Sequence, residues 1–110
     1  MEQDYAKAAH WCAKAAEQGM PQAQYNLGGY YYLGEGVEQD YAKAVHWFMK
    51  AAEQGFAKAQ YNLGVCYYKG QGLEQDYAKA DYWFTKAAEQ GDAEAQNMLR
   101  DSHEQHHGMK

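Results

Sequence analysis

The chain has 110 residues, of which 46% are hydrophobic and 15% aromatic, and its formal net charge at pH 7 is −5. This length fits one domain, and an acidic chain with interspersed lysines lacks the basic stripe that nucleic-acid binding needs. No apolar run reaches the roughly 18 residues of a membrane-spanning helix, and the first residues lack the apolar core of a signal peptide. Because a leader can be removed from a mature chain, the compartment stays open between the cytoplasm, the periplasm and the exterior.

The sequence repeats with a period of 36 residues, since the heptapeptide EQDYAKA occurs at Glu2–Ala8, Glu38–Ala44 and Glu74–Ala80. A fixed period between about 20 and 50 residues is typical of a solenoid, in which one supersecondary unit stacks on copies of itself. A residue that recurs in every unit serves the stack, so recurring residues are poor candidates for catalysis.

The first predicted helix covers Asp4–Gln18. Asp4 is a favourable N-cap, apolar residues follow at helical spacing, and Gly19 suits the left-handed conformation that ends a helix. The same pattern predicts helices over Asp40–Gln54 and Asp76–Gln90.

Helices of a second kind alternate with these, over Pro21–Leu33, over Ala57–Lys69 and after the N-cap Asp92. Pro21 stands at the first helical position, where the missing N–H would have no partner inside the helix. Small and apolar residues cover most of the circumference, which is typical of a helix packed between neighbours.

Two glycines, Gly28 and Gly64, lie inside helices of the second kind. Glycine in a helix interior costs about 1 kcal/mol relative to alanine. We therefore expect these glycines to admit the close approach of a partner helix, against Ala44 or Ala51.

Together these elements predict an all-α solenoid of antiparallel helix pairs with six helices. We expect a single domain over residues 1–102 and a frayed tail over 103–110. The predicted units are a half unit at about 1–19, complete units at about 20–55 and 56–91, and a half unit at about 92–102. In the last copy Arg100 replaces the helical glycine, so we expect no ordinary partner helix after it.

The segment AQYNLGVCYYKGQGLEQDYAKADYWFTKAAEQG, from Ala59 to Gly91, and its first copy from Ala23 to Gly55 resemble the Sel1-like repeat family, a relative of the tetratricopeptide repeat (TPR). The resemblance implies a right-handed α-α superhelix whose concave side is lined by helices of the second kind. It also implies a non-enzymatic adaptor or scaffold that binds a protein or peptide, with no cofactor, and bacterial relatives in signalling, secretion or host contact.

The groove positions of the related repeat, transferred to this chain, form a row of tyrosines and asparagines at 36-residue spacing. Asparagine could pair with the backbone amides of an extended peptide, and tyrosine offers stacking area with a polar tip. The alternative is that the tyrosines only pack one unit on the next. The predicted partner-binding residues are Tyr25, Asn26, Tyr32, Lys58, Tyr61, Asn62, Val65, Tyr68 and Lys69. Gln22, Gly29, Glu94 and Asn97 extend this row.

Other chemistry-bearing residues receive a structural interpretation. Cys12 and Cys66 depart from the repeat and do not form a CxxC, so we interpret them as small buried residues rather than as a disulfide or a reactive thiol. The His103–His107 spacing could bind zinc or nickel on one helix face, but no further ligand completes the site, so we predict no metal. His10 and His46 precede tryptophans, and we interpret them as structural residues rather than as a pH switch.

Two alternatives to the scaffold remain open. The first is a structural spacer that self-associates through its open terminal helices, where the helix over Asp4–Gln18 would expose Tyr5, Ala8, Trp11 and Cys12. The second is a hydrolase acting on β-lactams, an activity described for family members with paired cysteines in each unit. It rests on family association only, because the two cysteines here are far apart and out of register.

Overall fold

A computed structural model of the chain describes the backbone of residues 4–107 and the side chains of residues 4–102. Within this range the structure contains six α-helices and no strand, which confirms the all-α solenoid. Each helix packs on its neighbours in the chain, and the α2–α3 and α4–α5 pairs have the most extensive contacts. The helices are α1 (Tyr5–Glu17), α2 (Pro21–Leu33), α3 (Tyr41–Glu53), α4 (Ala57–Lys69), α5 (Tyr77–Glu89) and α6 (Ala93–His107).

Aspartate caps begin the helices where the sequence predicted them. The carboxylates of Asp4, Asp40 and Asp76 accept hydrogen bonds from backbone N–H groups three residues on, at 3.1, 3.1 and 3.0 Å. Each bond satisfies a donor that the first helical turn leaves free. Helices α1 and α3 are followed by Gly19 and Gly55 at φ +93° and +91°, in the left-handed region that favours glycine.

A glycine–phenylalanine contact fixes how closely α2 approaches α3. A Cβ atom at Gly28 would lie 2.7 Å from the ring of Phe48 and 3.2 Å from the carbonyl oxygen of Ala44. Gly64 has the same relation to Phe84 one unit later, with the ring at 2.6 Å. The predicted close approach is thus confirmed against Ala44, but the phenylalanine ring that occupies most of the space was not foreseen.

Glutamine side chains join successive units through a repeated series of hydrogen bonds, which we call the glutamine chain. The side-chain amide of Gln54 donates to the carbonyl of Gly19 at 2.9 Å and to the Oε1 of Gln24 at 2.8 Å, and the buried Gln24 in turn donates to Ala16 at 3.1 Å. The pattern recurs in the next unit, where the amide of Gln90 bonds equivalent partners at 2.9 Å. These bonds satisfy a buried polar side chain and hold the unit-to-unit register.

The described helices give no candidate for a membrane span, because none combines sufficient length with sufficient apolar character.

A pair of adjacent substitutions tests the glycine–phenylalanine contact. No atom outside the local backbone lies within 4 Å of the position a Cβ would take at Gly29. Gly29→Ala should therefore stabilise the protein through helix propensity, whereas Gly28→Ala must displace a buried ring. We expect Gly28→Ala to be less stable than Gly29→Ala by about 2 kcal/mol. Urea denaturation followed by circular dichroism measures the difference, and equal midpoints would contradict this account of the packing.

Candidate functional site

Four of the predicted binding residues come together around one cavity. A cavity of about 140 Å³ opens between α2, α3 and α4, and we call it the central pocket. Its lining consists of four predicted residues and one that was not predicted. The lining residues are Tyr32, Tyr61, Asn62, Val65 and the unpredicted Phe48.

Tyr32 is held in the pocket wall by both packing and a hydrogen bond. Its ring centroid lies 5.1 Å from that of Tyr41 and 6.3 Å from that of Phe48. Its hydroxyl donates to the Oε1 of Gln71, in the loop of the next unit, at 2.6 Å. Burial raises the pKa of the Tyr32 hydroxyl, which keeps it a donor. This tyrosine therefore has the structural role considered from the sequence in addition to lining the pocket.

Tyr61 also lines the central pocket, and it differs from Tyr32 in its hydroxyl group. Its ring packs on Phe84, with centroids 5.8 Å apart, and within the described part of the chain its hydroxyl makes no hydrogen bond. Burial raises the pKa of this hydroxyl, and the neighbouring carboxylates of Glu94 and Asp92 raise it further. The carboxylates of Glu94 and Asp92 thus place negative charge near this side of the pocket.

Asn62 is the polar group of the central pocket. Its side chain is half-buried, and among residues 4–102 it has no hydrogen-bond partner. Its counterpart one unit earlier, Asn26, accepts a bond from the side-chain amide of Gln22 at 3.1 Å. A primary amide offers two donor hydrogens and an acceptor oxygen, so the pocket presents an unused amide beside apolar walls.

A second pocket of about 140 Å³ lies one repeat earlier, and we call it the outer pocket. It contains the predicted Tyr25 and Asn26, so the two pockets stand in register with the 36-residue repeat. The Tyr25 ring packs on Phe56 at a centroid distance of 5.4 Å. The outer pocket differs by having Gly29 at the repeat position of Val65. The remaining lining residues, Tyr30, Leu33 and Glu35, were not among the predicted site residues.

The other three predicted residues line neither pocket. Lys58 and Lys69 are exposed on α4. Tyr68 takes the position of Tyr32 one unit later, with its ring 5.0 Å from that of Tyr77 and 6.5 Å from that of Phe84. The structure therefore gives a row of paired tyrosine and asparagine walls, with the two lysines outside the pockets.

Sequence reasoning missed Phe48 because it lies in the apolar stripe of α3 and is 99% buried, which is the behaviour of a core residue. Phe48 nevertheless lines the central pocket. The available signal was the repeated glycine at position 28, whose missing side chain leaves room for a large ring.

A third cavity, of about 290 Å³, lies between α3, α4 and α5 and is more polar. Two of its polar side chains are engaged: Gln60 belongs to the glutamine chain, and the ammonium of Lys86 lies 5.3 Å from the Tyr82 ring centroid. Within the part of the chain that the structure describes, no group of three or more histidine, cysteine or carboxylate side chains could hold a metal ion. The side chains of His103, His106 and His107 lie outside the described residues.

Both cysteines are free thiols. Cys66 is fully buried in the core around Phe48, and burial raises its pKa to about 12. Cys12 is half-buried against the cluster of α1 and α2. The interpretation of Cys66 as a small buried residue is confirmed, and Cys12 is partly covered in the same manner. His10 and His46 are exposed, with the imidazoles edge-on to Trp11 and Trp47 at centroid distances of 5.7 and 4.9 Å.

Comparison with known proteins gives one family and a set of bacterial structures. The Sel1 repeat family matches residues 1–20, 21–56 and 57–92. A protective antigen present in uropathogenic Escherichia coli strains, displaying an SLR fold, is 49% identical with a TM-score of 0.87, over 88% of this chain and 21% of that one. This chain thus spans about a fifth of the antigen's length. No curated protein matches the chain.

Two further structures are similar over most of their own length. A Sel1 repeat protein from Oxalobacter formigenes is 43% identical with a TM-score of 0.82, over 84% of this chain and 69% of that one. The cysteine-rich protein B of Helicobacter pylori is 28% identical with a TM-score of 0.79, over 84% of this chain and 70% of that one.

The burial of Cys66 predicts an unreactive thiol. With its pKa at about 12, this thiol stays protonated at about pH 8, and the thiolate is the nucleophile. Brief treatment with iodoacetamide at that pH should leave Cys66 unmodified in the folded protein and modify it fully in urea. Peptide mass spectrometry measures both fractions, and rapid native modification would contradict the described burial.

Proposed function

Since the chain belongs to the Sel1 repeat family, whose members are generally protein-interaction scaffolds, we propose that it binds a protein or peptide on the concave face formed by α2 and α4. The observation that carries the proposal is the central pocket, where the unpartnered amide of Asn62 stands among apolar and aromatic walls. Ligand sites combine such walls with a few convergent polar groups.

The repetition of the pocket supports an extended partner. The outer pocket presents Tyr25 and Asn26 at the repeat positions of Tyr61 and Asn62. An extended segment carries a backbone N–H and C=O at every residue, and these groups need partners when they leave water. A row of asparagines can supply such partners while the tyrosines cover the side chains.

The same pocket favours binding over catalysis. The Sel1 repeat fold is typically non-enzymatic, and the five residues around the central pocket include no nucleophile adjacent to a general base. Tyrosine, phenylalanine, asparagine and valine provide area and hydrogen bonds, which is what a recognition surface needs. We therefore propose a scaffold with no cofactor, acting as one solenoid domain over residues 1–102.

Substitution of the pocket wall tests the scaffold proposal. Tyr61→Ala with Asn62→Ala removes one wall and the free amide, so partner recovery on the immobilised protein should fall at least about tenfold. The assay is quantitative mass spectrometry of proteins captured from a lysate of the source organism. Asn62→Ala alone, which leaves the tyrosine packing in place, should give part of the loss.

A matched control uses the exposed face of α3. His46→Ala with Lys50→Ala changes two exposed residues away from both pockets and should leave recovery unchanged. Circular dichroism verifies that all variants stay helical. Equal capture by the pocket variant and the control would refute the assignment of the binding face.

A second candidate function, self-association through the terminal helices, is favoured by one observation. Trp11 is 64% exposed, whereas Trp47 and Trp83, at the same repeat position, pack on the buried cluster of the preceding unit. Of the other residues expected to be open, Tyr5 is 39% exposed, while Ala8 and Cys12 are half-buried. Cys12 packs on the buried cluster that includes Ala23 and Leu27 of α2.

Trp11→Ala tests this second candidate. If α1 packs on another copy, the substitution should weaken self-association about tenfold, because a buried tryptophan is a typical anchor of an interface. Tyr82→Ala, which removes another exposed aromatic ring, is the control. Light scattering across a range of protein concentration supplies the measurement, and a wild type that stays monomeric at high concentration rules the candidate out.

A further inference from the structure

We infer that the segment bound on this face carries one bulky aliphatic or aromatic side chain, which fills the central pocket, and basic residues on either side of it. This inference rests on the proposed function and specifies the chemistry of its partner. Three features of the described residues support it: the lining of the central pocket, the difference between the two pockets, and the position of the carboxylates.

The central pocket fits an apolar side chain. Four of its five lining residues present aromatic or aliphatic surface, and only Asn62 presents an amide. A cavity of about 140 Å³ has room for a side chain of the size of leucine, methionine or phenylalanine. Apolar anchors that fill such pockets dominate the affinity of interfaces. The free amide of Asn62 can pair with the backbone next to the anchor, which places the main chain at the rim.

The two pockets are inequivalent, which favours one anchor rather than two. The central pocket has Phe48 and Val65 in its lining. The outer pocket has Gly29 at the repeat position of Val65, and the repeat position of Phe48 is taken by Cys12, which is not part of its lining. Its lining combines the apolar surface of Tyr30 and Leu33 with the carboxylate of Glu35, so it suits the apolar stem and charged end of a lysine or arginine next to the anchor.

Carboxylates flank the central pocket along the solenoid. Glu35 lies in the outer pocket on the α2 side. On the α6 side, Glu94 and Asp92 lie close enough to Tyr61 to raise the pKa of its hydroxyl. The exposed lysines of α4, Lys58 and Lys69, line neither pocket, and the whole chain carries a net charge of −5. Complementary charge on a partner speeds encounter and selects against acidic segments.

Selection from a peptide library tests the inference directly. A phage-displayed library of random peptides about twelve residues long is selected on the immobilised full chain. We expect the enriched peptides to share a bulky apolar residue with lysine or arginine close to it on both sides. A synthetic peptide from this pool should bind at least about tenfold less tightly when its apolar residue is changed to alanine.

Variants of the protein locate the binding. Val65→Trp places a ring in the central pocket and should lower the affinity for the synthetic peptide at least about tenfold. Thr85→Trp, at an exposed position of α5, is the control and should bind the peptide as the wild type does. Glu35→Lys with Glu94→Lys should also weaken binding, most at low salt. The alanine-substituted peptide gives the same test on the unaltered protein if Val65→Trp unfolds.

The outcomes separate this inference from the proposed function. Enriched peptides that lack a bulky apolar residue, carry acidic flanks, or bind Val65→Trp like the wild type would overturn the inference. If those peptides nevertheless fail to bind the variant that carries both Tyr61→Ala and Asn62→Ala, the proposed function survives. A selection that enriches no peptide above the bare support would overturn both.

Discussion

The contact between a helical glycine and a buried phenylalanine is the constraint on which the rest of the structure depends. Gly28 has no side chain, so the ring of Phe48 lies against the α2 backbone and the two helices approach closely. The same residue lines the central pocket. Because a close-packed core does not yield to small changes, the part of the pocket lining that Phe48 supplies is held in place by the core.

The glutamine chain determines the spacing between units. Gln54 and Gln90 each bridge to a residue 35 positions and to another 30 positions earlier in the chain. These bonds join the end of one unit to the turn of the preceding one, so each unit has the same relation to its neighbour. The tyrosine and asparagine side chains consequently recur in register, as the proposed binding of an extended partner requires.

Departures from the repeat make the two pockets different from each other. Where the units agree, as at the aspartate caps and the bridging glutamines, the residues build the stack. Where they differ, the pockets differ as well: Val65 occupies the repeat position that Gly29 has one unit earlier, and Phe48 occupies the repeat position of Cys12. Arg100 replaces the helical glycine in α6 and is exposed, so the last described helix lacks the feature that admits a phenylalanine ring.

The sequence by itself determined the repeat length, the helices and their ends, because caps, glycines and helical spacing act within a few residues. The resemblance to the tetratricopeptide repeat added the prediction that Tyr61 and Asn62 lie together on the groove side, and both line the central pocket. Only the tertiary structure decided that Phe48 lines the central pocket and that Lys58 lies outside it. Those outcomes depend on how helices distant in the chain meet, and local patterns do not specify the angle and depth of that packing.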